Sequence, residues 1–148
     1  MTVFPISAET LGAPEPIGNC FADMVGKAAG ALTAGQVLSF DGTGAAKAAA
    51  AGDAGPFAVS AHDRASGDAM ADVFGTGSFV WVKANGTIIP NTRVVADANG
   101  TVKAIAAETF EKVVGVYKHK PGEGDVNHLP SNCAVGNTIL VQFTGGAT

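Results

Sequence analysis

Leu32-Thr33-Ala34-Gly35-Gln36-Val37-Leu38 and Ile89-Pro90-Asn91-Thr92-Arg93-Val94-Val95 read as two copies of one segment, 57 residues apart. The likeness continues downstream. Lys47-Ala48 matches Lys103-Ala104 after one residue of slippage. Phe57-Ala58-Val59 matches Val114-Gly115-Val116, His62 matches His119, and Gly67-Asp68 matches Gly124-Asp125. A three-residue insertion near Pro130 then sets Ser78-Phe79-Val80-Trp81 against Thr138-Ile139-Leu140-Val141. Each copy is a set of short apolar strands divided by Gly turns, and neither has enough large side chains for its own core. The expectation is one all-β body, a small barrel or sandwich with an internal pseudo-two-fold repeat. Its halves fall at about 30–85 and 86–145, within a single unit spanning 20–148.

The turns agree with that class. Val37-Leu38-Ser39-Phe40 runs into Asp41-Gly42, and Val94-Val95-Ala96 into Asp97-Ala98-Asn99-Gly100; these residues tolerate the positive φ of tight hairpins. Ser78 to Val82 is apolar on both faces and predicts a central strand. Val113 to Tyr117 and Thr138 to Phe143 predict two more. At most one or two short helices are expected. Ala104 to Lys112 has helical character over about two turns, and Cys20 to Gly30 reads as either a short helix or a strand.

Residues 1–19 read differently. Pro5, Pro14 and Pro16 block a helix and remove sheet donors, while Phe4, Ile6, Leu11 and Ile17 recur as spaced apolar anchors. That pattern predicts an extended N-terminal arm docked on a partner surface.

The chain has 148 residues and a formal charge of -4, which argues against a protein that binds nucleic acid by neutralising phosphates. Charged residues are only 15% of the chain, while 27 Ala and 20 Gly make nearly a third of it, a composition suited to a surface partly covered by partners. No run is long and apolar enough to span a bilayer as a helix, and the start lacks a basic region followed by an apolar run, so neither a membrane partner nor a secretory signal is expected. Cys20 and Cys133 are too few for a disulfide scaffold or a four-Cys zinc site.

Catalysis requires converging groups. Ser60, His62 and Asp63 are near neighbours along one strand end and cannot form a triad; the second copy, Tyr117, His119 and Lys120, keeps only the His. His119, His128, Asp125 and Glu123 match no metal-ligand spacing and lie in a Gly/Pro loop expected to be solvated. Asp97 to Gly100 lacks the later ligands of a calcium loop, and Gly75-Thr76-Gly77 precedes a strand rather than a helix. The expectation is no enzyme, no catalytic residue, no metal and no cofactor.

Ala31-Leu32-Thr33-Ala34-Gly35-Gln36-Val37, Lys47-Ala48-Ala49, Val113-Val114-Gly115-Val116 and Gly124-Asp125 together resemble the plan of capsid cement (decoration) proteins of tailed bacteriophages. The likeness covers about residues 30–145. The longer Pro-rich N-terminus and the loop Pro121 to Cys133 depart from that plan. The resemblance implies a β-rich body, often trimeric, bound to the major capsid protein on the outside of the virion after assembly in the host cytoplasm. It also implies an arm reaching the capsid, the role that Phe4, Ile6, Leu11 and Ile17 fit. The rival readings are another virion or surface structural module (a head-fibre base, a tail-tube or adhesin repeat) and a β-barrel that binds a small molecule or carbohydrate.

Overall fold

The computed structural model describes residues 3–4, 20–21, 26–68, 73–74 and 76–144. Strands β1 (Val3–Phe4), β2 (Cys20–Phe21), β3 (Val37–Phe40), β4 (Ala46–Ala48), β5 (Ala58–Ser60) and β6 (Val73–Phe74) form one antiparallel sheet in the order β1-β2-β6-β5-β3-β4. Strands β7 (Phe79–Lys83), β8 (Arg93–Ala96), β9 (Val102–Ala104), β10 (Val113–His119) and β11 (Thr138–Phe143) form the second, in the order β7-β11-β10-β8-β9. The protein is all-β and sandwich-like. Neither sheet closes along its length into a barrel.

Apart from β1, the two orders are the same: β2 corresponds to β7, β3 to β8, β4 to β9, β5 to β10 and β6 to β11. The hydrogen bonds repeat with the strands. Gly35 N–H donates to Ser60 O at 2.8 Å, and Asn91 N–H to Tyr117 O at 2.7 Å. The parallel bridge Ala28–Ala46 recurs as Ala84–Val102, and the antiparallel bridge Leu32–Arg64 as Ile88–Cys133. Gly35 and Asn91 both have positive φ (83° and 66°), so an Asn does in the second turn what a Gly does in the first.

This geometry redraws the repeat. The halves begin at β2 and β7, not at 30 and 86. Strand β7 opens the second half instead of closing the first, and it is the hydrogen-bonded neighbour of β11 instead of its counterpart. It is also the outermost strand of its sheet among the described residues, where a central one was expected. Gly67-Asp68 corresponds to Gly136-Asn137. Gly67 and Gly136 each donate to the matching Ala28 and Ala84 carbonyls at 2.8 Å, and the Asp68 and Asn137 side chains each accept from the backbone three residues earlier. The spacing is 57 residues from Val59 to Val116 but 69 from Arg64 to Cys133, so the second half holds a twelve-residue insertion between His119 and Cys133.

The expected helix at Ala104 to Lys112 is absent. Val102–Ala104 is strand β9, Ile105 N–H continues the ladder to Arg93 O at 3.0 Å, and only Phe110–Lys112 makes a helical turn. Glu108 explains the break, because its carboxylate accepts the Ala106 N–H at 2.7 Å and so offers the backbone a local alternative to helix bonds. Cys20–Phe21 is strand.

The main core joins both halves. Val37, Phe57 and Val59 pack with Val80, Ile88, Val94, Tyr117, Ile139, Val141 and Phe143. On the opposite face of the first sheet, Leu38, Ala46 and Ala58 are covered by Ala28 and Leu32. Of the arm, only Val3–Phe4 is described. Ile6, Leu11 and Ile17 lie outside the described residues.

Gly115 sits mid-strand in β10 between β8 and β11. A Cβ there would collide with Gln142 O and lie 2.7 Å from Val141 Cγ1. Gly→Ala in a strand is ordinarily favourable by about 0.5–1 kcal/mol. Here Gly115→Ala is expected to destabilise by about 1–3 kcal/mol through overpacking, measured by chemical denaturation.

Candidate functional site

The insertion dominates one end of the second half, and its side chains brace it from within. Glu123 accepts from Lys120 N–H at 2.9 Å and from the Ser131 hydroxyl and N–H, tying the two stems together. Asp125 accepts the Asn127 and His128 N–H groups at 2.8 and 2.7 Å, and its carboxylate lies 3.0 Å from His128 Nδ1. Gly124 N–H donates to His128 O at 2.7 Å. The expected solvated loop is therefore exposed but internally ordered. Below it, the Tyr117 hydroxyl donates to Ser131 O at 2.7 Å. Burial, and then Cys133 and Glu123, push that phenol far above its ordinary range. The matching residue of the first half, Ser60, donates to His62 O at 2.7 Å. A short hydroxyl closes the short turn, and a long one reaches across the inserted turn.

The loop rests on the outer face of the second sheet. His119, Leu140 and Trp81 form one cross-strand row there, on the face opposite Val80 and Val82. The Trp81 and His119 rings meet edge-on with centroids 6.1 Å apart. Gly124 is pressed against the imidazole, since a Cβ at Gly124 would lie 2.7 Å from His119 Nε2. Trp81 is buried as expected, but with Leu140 and Phe79 in a small cluster outside the main core, and its Nε1 has no hydrogen-bond partner among the described residues.

The polar groups singled out in the sequence are engaged with backbone. Ser60 is bonded as described, and the Asp63 carboxylate accepts the Ala34 N–H at 2.9 Å. His119 Nδ1 lies 2.8 Å from Lys120 O and is not brought to His128. Among the described residues, no three His, Cys, Asp or Glu side chains are grouped to hold a metal. Cys133 is buried, carries a free thiol whose pKa burial raises, and lies 3.6 Å from Gly86 O. The Asp97 to Gly100 segment is a tight hairpin turn, with Asp97 N–H donating to Thr101 O.

Two surfaces remain. One is an open cleft of about 390 Å³ between the halves, lined by Thr33–Gln36, Val82, Lys83, Asn99–Thr101 and Thr138, in which Lys83 Nζ donates to Thr138 Oγ1 at 2.8 Å. The other is the loop tip, where Val126 (89% exposed) and Leu129 (71%) face outward. Sequence reading passed over this tip because the Gly/Pro spacing suggests only solvation; Val126 and Leu129 amid polar residues were the available signal. A rigid loop presenting aliphatic side chains can bury apolar area against a partner. No protein-family model and no curated protein sequence matches the chain.

Two outcomes follow. Burial works against the Glu123 charge, but its hydrogen bonds to Ser131 and Lys120 and the Lys120 charge outweigh it and lower the pKa; the Asn127 amide, then His128, lowers that of Asp125. A carboxylate with a depressed folded pKa contributes stability above its unfolded value and loses it as pH falls through the folded one. The loop should keep its order above about pH 4 and loosen below it, with the amide-exchange protection of Gly124, His128 and Ser131 falling together. Separately, Trp81→Ala should cost about 3–5 kcal/mol in denaturant unfolding. Trp81→Phe should cost much less, because the indole N–H it removes makes no hydrogen bond among the described residues.

Proposed function

We propose that this chain is a structural virion protein that binds the outer surface of a tailed-bacteriophage capsid and stabilises its major capsid protein lattice. The observation that carries the reading is the resemblance of the repeat plan to capsid cement proteins, in a chain whose body is all-β and duplicated. The action is thermodynamic. A protein that binds the intact lattice better than the disrupted one raises the free energy of disruption, and many copies each contributing about 1–3 kcal/mol suffice. Capsid-bound copies associate as a cyclic trimer in this reading, and Phe4, Ile6, Leu11 and Ile17 anchor the arm on the capsid protein.

The decisive measurement is thermal DNA release from capsids with and without the protein. Release should shift to higher temperature when the protein is bound. A shift of zero, or a turnover reaction abolished by His62→Gln with His119→Gln, overturns the proposal. Deleting residues 2–17 should leave a folded body that decorates capsids much less well. The cleft of about 390 Å³ with Thr33, Gln36, Lys83 and Asn99 on its wall favours a second reading, a small-molecule or carbohydrate-binding module. A thermal shift with a panel of sugars that Lys83→Ala abolishes would support that reading instead.

A further inference from the structure

The duplication supplies its own control for reading the surface. The two halves share strand order, turn geometry and bridges, so equivalent turn positions experience the same backbone demands. A difference between exposed side chains at such positions is therefore not demanded by the turn itself. At the end where β7 runs into β8 and β10 into β11, the second half has Ile89 where the first has Thr33, and Val135 where the first has Ser66. Ile89 is 61% exposed and Val135 is 68% exposed. The twelve inserted residues at this same end add Val126 and Leu129. Four of the five large apolar side chains exposed among the described residues thus lie in the two connections, β7 to β8 and β10 to β11, at one end of one half.

Neither Ile89 nor Val135 is needed for its turn. Thr33 and Ser66 make the same turns in the first half, with Gln36 N–H to Thr33 O at 3.1 Å matched by Thr92 N–H to Ile89 O at 3.2 Å. Aliphatic side chains held outward by a loop that uses its own carboxylates as braces oppose solubility unless something covers them.

We infer that this end of the second half is the face that meets the capsid shell, with Val126, Leu129, Ile89 and Val135 as its apolar contacts; the inference rests on the cement reading above. The size of the patch selects the occupant. Four side chains expose a few hundred Å², short of the roughly 800 Å² per partner that a stable pairwise interface buries. A second copy in solution is therefore too weak a match. A lattice that offers the same shallow apolar site many times is the match, because copies joined in the trimer of the cement reading bind it with summed avidity.

The test is co-sedimentation of the full chain with empty shells of the major capsid protein from the same genome. Val126→Ser with Leu129→Ser should weaken shell binding about tenfold or more with unchanged thermal unfolding. Ile89→Thr with Val135→Ser, which installs the residues the first half already carries at those turns, should weaken it as well. Thr33→Ser with Ser66→Ala, at the equivalent positions of the first half, should leave it unchanged. Wild-type-like sedimentation of both second-half variants overturns this assignment and leaves the cement reading standing. Failure of the wild-type protein to sediment with shells overturns both. Concentration-dependent dimerisation of the free protein that the Val126/Leu129 variant abolishes would assign the patch to a second copy and overturn the lattice as its occupant.

Discussion

The burial of one half of the chain against the other is the constraint on which the rest of the structure depends. The first half is rich in Ala, and its own cluster of Ala28, Leu32, Leu38, Ala46 and Ala58 is small. Its larger side chains, Val37, Phe57 and Val59, spend themselves on the second half. The join is made close by a glycine. At Gly100, in the turn between β8 and β9, the N–H donates to Ala49 O at 2.8 Å, and a Cβ would lie 2.8 Å from Val37 O. Gln36 Nε2 donates to Asn99 O at 3.0 Å beside it. The equivalent Gly44 has the same positive φ but open space around it. Gly44 therefore serves only its turn, and Gly100 serves its turn and the junction.

Much of this was legible because short strands and tight turns leave local marks. Asp97 to Gly100 marked its hairpin, and Leu32 to Leu38 and Ile89 to Val95 marked the duplication one residue out of register, since Leu32, Gly35 and Val37 correspond to Ile88, Asn91 and Arg93. Alignment failed where chemistry allows substitutes. Asp68 and Asn137 do one job, accepting an N–H three residues back, with different side chains. The coincidental Gly124-Asp125 stands at the spacing where a sequence match looks for them. The insertion hid the true partner twelve residues further on. The helix expected at Ala104 to Lys112 failed because Ile105 had a strand to pair with and Glu108 a local amide to bind. The loop tip was legible only in part. Its aliphatic residues are visible in the sequence, but their outward aim depends on tertiary bonds from Tyr117 and Glu123.

Equivalent interior positions of the halves show volume traded within pairs. In the first half Phe40 pairs with Ala46, and in the second Ala96 pairs with Val102. The larger residue sits on the other strand of the pair, Phe40 beside the first half's own cluster and Val102 in the main core. Ala58 corresponds to Gly115, and there even one methyl has been given up to let β11 approach. Cores tolerate such exchange when total volume and pattern are kept. This is why the likeness of the halves is plain in the ladder and nearly absent in residue identity.

The junction also uses equivalent faces unequally. Val37 and Val59 are fully buried at the join, while their counterparts Arg93 and Val116 lie on the outer face of the second sheet, Arg93 exposed and Val116 partly so. A contact between unlike faces of two similar units does not close on itself; repeated, it builds a chain of units. Arg93 interrupts that tendency. Its guanidinium lies 5.2 Å from the Phe110 ring centroid, which keeps a charge on the face that a third unit would have to desolvate. The duplicated pair therefore presents a charge, not a second apolar face, at the position equivalent to Val37. Four of the five exposed large apolar side chains among the described residues then lie at the turn end, away from that face.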